Sequence, residues 1–292
     1  MNSKEGFLAI LMIGFLIPIA GCESNFEPLQ ENDQYAYSVY GTLDVYADTQ
    51  WVRVTPIHDT FISSKVDSNN TKVTLTQTST GKTVQLNDSL FVFGGDAYVW
   101  NYWTTEEIHP KEEYVIEAEG ANGLYSSAQL TVPDSLSLPL VKYSVEENRG
   151  EIKGSSGSPL VRMDIKYSIQ IITEVGTLTE ELEVVSSLLE EINRTSDGVY
   201  LAEFDGEELI LDEIGHNKRY QINKRELYVA TGSESWLSLT DLSEEEIMSP
   251  GVGSNIEMGV GHVAGMAQRK GFLRSCYDDR GDLIFCEVLT KE

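Results

Sequence analysis

Basic residues are scarce in this sequence. Its 292 residues include 21 Lys and Arg against 47 Asp and Glu, so the formal net charge is −26. Binding to nucleic acid requires cationic side chains that neutralise phosphates, and adhesion to anionic lipid headgroups requires them as well. We therefore expect no nucleic-acid partner and no direct electrostatic attachment to a membrane surface.

Long apolar runs are also few. One run occupies residues 7–19, which is too short to span a bilayer comfortably, and no second stretch of 18 apolar residues follows it. Lys4 precedes this run, and Ala20, Gly21 and Cys22 come after it. This arrangement is typical of a bacterial export signal and predicts no transmembrane helix.

The end of the export signal, Ile19-Ala20-Gly21-Cys22, resembles the lipobox of bacterial lipoproteins. The resemblance implies that residues 1–21 are removed, that Cys22 is acylated, and that residues 22–33 form an acidic tether. Each buried methylene contributes roughly 0.8 kcal/mol, so two or three acyl chains would hold the protein in the bilayer of the outer membrane. The alternative is an ordinary cleaved signal in which Cys22 stands by chance.

Cysteines number only three. If Cys22 carries lipid, Cys276 and Cys286 remain, and the segment between them is rich in residues that turns prefer. This spacing predicts a hairpin closed by a disulfide, with two buried free thiols as the alternative. The enclosed triplet Arg280-Gly281-Asp282 resembles the integrin-binding tripeptide, whereas the spacing of the neighbouring aspartates does not match a calcium-binding loop.

The sequence alternates apolar and polar residues in short runs from Tyr35 onward. Period-two alternation between turn residues is typical of antiparallel strands with one solvated face, so we predict a mainly β fold. The runs in the first part are 35–46, 50–55, 72–77, 82–86, 98–103, 114–119 and 125–132.

The last two of these runs resemble the final hairpin of immunoglobulin-like and fibronectin-like domains, with Pro110 before them, Tyr114 at the start of the first and Pro133 after the second. The resemblance implies a β-sandwich over residues 34–135. It also implies a tyrosine corner, in which the Tyr114 hydroxyl bonds to backbone upstream.

Prolines and serines in residues 133–139 predict a domain boundary, followed by a second β-rich domain over residues 136–292. Asp205-Gly206 is predicted to form a hairpin turn between two of its strands. Residues 179–194 differ, because apolar residues there recur at steps of three and four and predict an amphipathic helix. The apolar positions are Leu178, Leu182, Val185, Leu189 and Ile192. The predicted strands are 140–146, 160–175, 199–204, 207–211, 220–222, 226–231 and 236–239.

The order of these elements resembles an uncharacterised, domain-of-unknown-function group of β-rich surface lipoproteins, often encoded beside TonB-dependent outer-membrane transporters. The motif-like parts are the Tyr114 hairpin and Ser254-Asn255-Ile256-Glu257 with the glycines that follow. The resemblance transfers no catalytic residues.

Recognisable catalytic chemistry is absent from the sequence. The histidines His58, His109, His216 and His262 lack the close spacing of a zinc site. Residues 154–159 lack the glycine pattern of a nucleophile elbow, and residues 78–83 lack the first glycine of a phosphate-binding loop. We therefore expect no catalytic residues, no metal and no cofactor.

Aromatic residues are concentrated at Tyr98, Trp100 and Tyr102, which share one face if this run is a strand, while Val99 and Trp103 share the other. The face with Tyr98 either fills the sandwich core or forms a ligand platform for sugar rings or a partner protein.

The preferred prediction is a membrane-anchored, non-enzymatic binding or accessory lipoprotein of the bacterial envelope. Its expected partners are the bilayer, through Cys22, and an envelope protein, a transporter or a glycan. The alternative is an exported hydrolase of polysaccharide or peptide that uses a pair of its many carboxylates. A purely structural envelope component is a third prediction.

Overall fold

The computed structural model describes residues 35–57, 70–93, 97–121, 123–173, 176, 178–195, 198–234, 236 and 253–290. These residues form mainly β-strands, with one helix among them, which confirms the predicted mainly β class. The predicted signal peptide and tether, with Cys22, lie outside the described residues, and so does His58. Within the described ranges, no helix has the length and apolar character needed to cross a membrane.

An eight-stranded sheet, called the long sheet, runs through the molecule. Its strands, in spatial order, are β12 (Leu178–Ser187), β11 (Leu160–Ile172), β15 (Arg219–Gly232), β17 (Gly259–Phe272), β1 (Tyr37–Asp44), β2 (Gln50–Pro56), β6 (Ala97–Thr104) and β5 (Asn87–Phe93).

Two smaller sheets of five strands each accompany it. The N-terminal small sheet consists of β16 (Ile256–Glu257), β8 (Tyr125–Thr131), β7 (Glu113–Gly120), β3 (Thr71–Gln77) and β4 (Lys82–Gln85). The C-terminal small sheet consists of β13 (Asn193–Arg194), β14 (Val199–Asp205), β10 (Arg149–Ser155), β9 (Leu140–Ser144) and β18 (Cys286–Glu287).

The long sheet buries one of its faces in two hydrophobic clusters. Val52 and Val54 of β2 belong to the cluster shared with the N-terminal small sheet. Ile165 of β11 and Val229 of β15 belong to the cluster shared with the C-terminal small sheet. The residues that alternate with the buried ones along each strand point away from these clusters, and we call that side of the long sheet the outer face.

The N-terminal small sheet carries the predicted tyrosine corner. Tyr114 is buried at the start of β7, and its hydroxyl accepts a hydrogen bond from the backbone N–H of His109 at 2.9 Å. This bond confirms the interaction that the Pro110 and Tyr114 spacing implied.

The predicted boundary between residues 135 and 136 does not divide the molecule. β1 pairs in parallel with β17, from Tyr37 opposite Gly259 to Asp44 opposite Met266. Strands from both predicted segments therefore share the long sheet, and residues 34–292 form one compact unit.

The glycine-rich stretch after residue 252 contributes the first part of strand β17. Gly261 has a φ of +120°, and a Cβ there would collide with the backbone oxygen of Val39 on β1. Glycine thus permits the close parallel approach of the two strands. The Asn255 side chain of the predicted motif accepts from the Val263 N–H at 2.9 Å and donates to the Val263 oxygen at 2.6 Å, so it fixes the turn before β17.

The helix predicted over residues 179–194 is wrong. β12 occupies most of that segment and pairs antiparallel with β11. Two residues of the predicted apolar stripe, Leu182 and Val185, are 42% and 55% exposed, whereas Val184 and Leu188 are buried. The segment instead pairs with the strand directly before it in the sequence and forms the edge of the long sheet, where exposed apolar residues such as Leu182 and Val185 reproduce a helical spacing.

A helix forms instead where a strand was predicted. α1 (Gly206–Ile214) begins at Asp205, whose carboxylate accepts hydrogen bonds from the N–H groups of Glu207 and Glu208. Asp205 therefore acts as a helix N-cap, and the predicted Asp205-Gly206 hairpin turn is wrong. Glu207 and Glu208 lie in the first turn, where their charge suits the helix dipole.

Candidate functional site

The predicted ligand platform lies largely on the inner side of β6. Tyr102 is 1% exposed in the core, and its hydroxyl donates to the Thr71 backbone oxygen at 3.3 Å. Trp100 packs against the same cluster, and Tyr98 is half-buried. The platform prediction is therefore wrong for Tyr102, and the alternative that this face fills the core is correct there.

The opposite face of β6 carries an exposed aromatic group that the sequence analysis did not propose. Trp103 of β6 lies directly across from Trp51 of β2, with their ring centroids 6.1 Å apart. Phe91 of β5 meets Trp51 edge to face, at 5.7 Å between centroids. Trp51 and Phe91 are 42% and 39% exposed, so these rings contact one another and solvent. Trp51, Phe91 and Trp103 are called the aromatic surface.

The strand pattern explains why these rings stand outside. In β2, Gln50, Val52 and Val54 are buried, so the residues between them point outward. Cross-strand pairing then sets Trp51 beside Trp103, since the two strands are antiparallel neighbours. The Trp103 indole N–H donates to the Ser89 hydroxyl at 3.1 Å, which fixes the orientation of that ring.

Polar side chains form the row beside these rings. Arg53 of β2 lies across from Asn101 of β6 on one side and from Tyr40 of β1 on the other. Asn101 in turn faces Ser89 of β5. The row offers guanidinium, amide, phenol and hydroxyl groups next to the rings. Aromatic faces contact the apolar faces of sugar rings, and such polar groups can bond to sugar hydroxyls.

The other half of the outer face is occupied by ion pairs. The Glu226 carboxylate lies 3.4 Å from the Lys224 ammonium and 3.5 Å from that of Lys270. Arg162 pairs with Asp164 and also lies over the Tyr228 ring, 5.0 Å from its centroid. Because these charged side chains pair with one another, we interpret this half of the outer face as stabilising the long sheet rather than as a binding site.

One described cleft, of about 490 Å³, is lined by four carboxylates and two cationic side chains, namely Glu147, Glu151, Glu203, Asp205, Lys142 and Arg149. Two of these carboxylates form ion pairs there, Glu151 with Lys142 and Asp205 with Arg149. Burial raises the pKa of Asp44, although hydrogen bonds from the Tyr46 and Gln268 N–H groups oppose that effect. These bonds give the Asp44 carboxylate a structural role, because they tie it to two backbone N–H groups. In a described cleft of about 860 Å³, Asp134 forms an ion pair with Lys111 at 2.7 Å.

The histidines of the described part occupy separate places. His216 lies 3.2 Å from Asp212 of α1, and the His262 Nδ1 lies 3.2 Å from the Gly253 oxygen. The described ranges contain no group of three or more His, Cys, Asp or Glu side chains that could hold a metal ion.

The predicted disulfide between Cys276 and Cys286 is confirmed, so the alternative of two free thiols is wrong. Inside the hairpin, the Asp278 N–H donates to the Asp282 oxygen at 2.9 Å, and the Gly281 N–H donates to the Asp278 oxygen at 3.0 Å. The disulfide therefore closes a hydrogen-bonded hairpin.

Comparison with known proteins adds little to this picture. No protein-family model and no curated protein matches the sequence. A pullulanase structure from an Anoxybacillus species aligns with 67% of this chain and 24% of its own, at 9% identity and a TM-score of 0.21. The pullulanase complexed with maltotriose aligns over the same shares at 10% identity and the same TM-score. The chain thus spans about a quarter of these structures, and a likeness this weak supports no conclusion about fold or activity.

Proposed function

We propose that this chain is a lipid-tethered, non-enzymatic binding lipoprotein of the bacterial envelope, and that its aromatic surface binds carbohydrate. The observation that carries this proposal is the contact of Trp51 with Phe91 and Trp103 on the outer face of the long sheet. Large rings normally lie in the core, so a group of them exposed together indicates a contact site for a ligand or partner.

The composition of the site favours a sugar over a protein partner. The rings offer flat apolar contact, and Arg53 and Asn101 beside them offer hydrogen bonds of the kind that sugar hydroxyls accept and donate. Three rings also give a footprint the size of a short oligosaccharide. A stable protein interface is larger than such a footprint, because it requires about 800 Å² from each partner.

Lipid attachment would place such a binding site at the bacterial envelope. An acylated Cys22 would keep the binding surface at the membrane, where it raises the local concentration of a captured glycan. An associated outer-membrane transporter could then receive the glycan. The lipobox and the acidic segment 22–33 support this part of the proposal.

A glycan array probed with the full chain, purified in detergent, tests the proposed binding. We expect signal on a restricted class of polysaccharides, and loss of signal when Trp51→Ala and Phe91→Ala are combined. Tyr277→Ala, which removes an exposed ring elsewhere, is the matched control. An array without signal would contradict the proposal, and release of reducing sugar from a bound polysaccharide would favour the exported hydrolase.

Labelled fatty acid tests the tether separately. Cells fed labelled palmitate should yield labelled wild-type protein and unlabelled Cys22→Ser protein. A wild-type protein without label would contradict lipid attachment and leave the glycan site to be judged by the array.

A further inference from the structure

The charge beside the aromatic surface differs from that of the chain as a whole, which has 47 acidic residues against 21 basic ones. In the described parts of β1, β2, β6 and β5, the only carboxylate at an outward-facing position is Asp44, at the end of β1. Asp44 is 8% exposed, and its carboxylate already accepts two backbone N–H groups. Asp88 of β5 lies opposite Tyr102 and therefore shares the inner side of the sheet with it. The outer face of these described strands thus presents no carboxylate that would repel an anionic ligand.

Arg53 places a positive charge on this face. It is exposed on β2, two residues from Trp51 and on the same side of the strand. In the sheet it stands between Tyr40 of β1 and Asn101 of β6. Within the described part of the chain, its guanidinium makes no hydrogen bond and no ion pair, whereas Arg162 on the other half of the outer face pairs with a carboxylate. The N–H donors of Arg53 are therefore available to a ligand.

We propose that the carbohydrate bound by the aromatic surface is acidic, and that Arg53 pairs with an anionic group on it, a carboxylate or a sulfate. This inference rests on the proposed carbohydrate binding and specifies its class of ligand. The planar guanidinium bonds to such a group through two parallel N–H donors, which gives a stronger contact than a neutral hydroxyl can make. Trp51 on one side and Tyr40, whose side is 50% exposed, on the other supply rings beside the paired charge.

The net charge of −26 does not prevent this pairing at physiological salt. The Debye length is then about 8 Å, so charges farther than that from the bound anion are largely screened. The described neighbours of Arg53 across the strands are uncharged, as Tyr40 and Asn101 are. Nucleic acid is a different case, because its binding depends on many cations that neutralise successive phosphates, whereas here the rings supply part of the contact.

Matched pairs of acidic and neutral polysaccharides test the inference by isothermal titration calorimetry, with the full chain in detergent at physiological salt. The pairs are polygalacturonate and alginate, each with its carboxyl-reduced neutral form, and dextran sulfate with dextran. We expect the wild type to bind at least one acidic member about tenfold more tightly than its neutral partner. Arg53→Gln should abolish that preference, because the amide bonds to hydroxyls but carries no charge. A preference within the first two pairs identifies a carboxylate, and one confined to dextran sulfate identifies a sulfate.

Lys72→Gln is the matched control, since Lys72 is an exposed cation on the N-terminal small sheet. It should keep the wild-type preference, and both variants should unfold at the wild-type temperature. Equal binding to both members of every pair, a preference that survives in Arg53→Gln, or the same loss in Lys72→Gln would each overturn the inference. Equal binding that is lost in Trp51→Ala would overturn it and leave the proposed carbohydrate site standing, whereas no binding to any polysaccharide, here or on the glycan array, would overturn both.

Discussion

The ring of Trp51 meets the ring of Phe91 edge to face, with 5.7 Å between their centroids, although the two residues lie on strands separated in the sheet by β6. The contact reaches across the outer face above β6, where Trp103 adds the third ring. Edge-to-face pairs contribute about 0.5–1.5 kcal/mol beyond the area they bury. The aromatic surface therefore has a fixed geometry before any ligand arrives.

Tyr114→Phe tests the tyrosine corner. The change leaves the His109 N–H without the hydroxyl that accepts its hydrogen bond, so we expect the free energy of unfolding to fall by about 1–2 kcal/mol. Urea denaturation followed by circular dichroism measures the loss. Tyr125→Phe is the control, because the Tyr125 hydroxyl donates to the Glu117 carboxylate at the exposed surface, and it should be nearly neutral.

Asp205→Ala tests the N-cap of α1, and we expect a loss of about 1 kcal/mol in unfolding free energy. Burial would raise the pKa of Asp205, but hydrogen bonds from the Glu208 N–H and the Arg149 guanidinium outweigh it and hold the pKa below its usual value.

This lowered pKa gives a pH dependence of stability with a definite sign. A carboxyl whose pKa is lower in the folded chain adds stability above its unfolded pKa of about 3.9, and that stability is lost as pH falls through the folded pKa. The wild type should therefore lose more stability in acid than Asp205→Asn, which retains a capping oxygen and lacks the charge. Equal acid sensitivity of the two proteins would refute this role.

Gly206→Ala tests the packing of α1 against the long sheet. A Cβ at Gly206 would collide with the Tyr167 hydroxyl and the Asn148 side chain, both of which are buried there. We expect a loss of about 1–3 kcal/mol in unfolding free energy. Gly157→Ala is the control, since a Cβ at that exposed glycine would contact nothing within 4 Å.

Replacing Cys276 and Cys286 together by serine tests the disulfide. The chain-entropy model gives a loss of about 3 kcal/mol for a loop of this size. Thermal unfolding of the variant, compared with the wild type in the absence of reductant, measures it. Identical unfolding temperatures would show that β18 and its neighbours hold the hairpin without the bond.

Much of the strand content could be predicted because alternation is a local signal, as in β2, where Val52 and Val54 alternate with exposed residues. The β1 and β17 pairing could not, because it joins residues more than 200 positions apart, such as Tyr37 and Gly259, and no local pattern encodes it. The density of glycines around β17 is compatible with turns, bulges or close backbone approaches, and the close approach of Gly261 to Val39 becomes visible only once the partner strand is known.

The sequence identified the aromatic run of β6 but left open which of its two faces fills the core. Period two shows that Tyr102 and Trp103 point to opposite sides of β6, but it does not say which side is covered. The N-terminal small sheet decides this, because it packs on the side of Tyr102. The alternation of Trp51 with the apolar residue Val52 could have indicated from the sequence that Trp51 points outward. That Trp51 lies beside Trp103 could be seen only once the pairing of β2 with β6 was known.

The most direct test of the account is the affinity of the wild type, Trp51→Ala, Phe91→Ala and Tyr277→Ala for the array's best polysaccharide, measured by isothermal titration calorimetry. All four proteins should unfold at similar temperatures, because these rings are at least one-third exposed. Trp51→Ala should weaken binding about tenfold or more and Phe91→Ala somewhat less, while Tyr277→Ala should match the wild type. Unchanged affinity in Trp51→Ala and Phe91→Ala would contradict the assignment of the aromatic surface as the binding site.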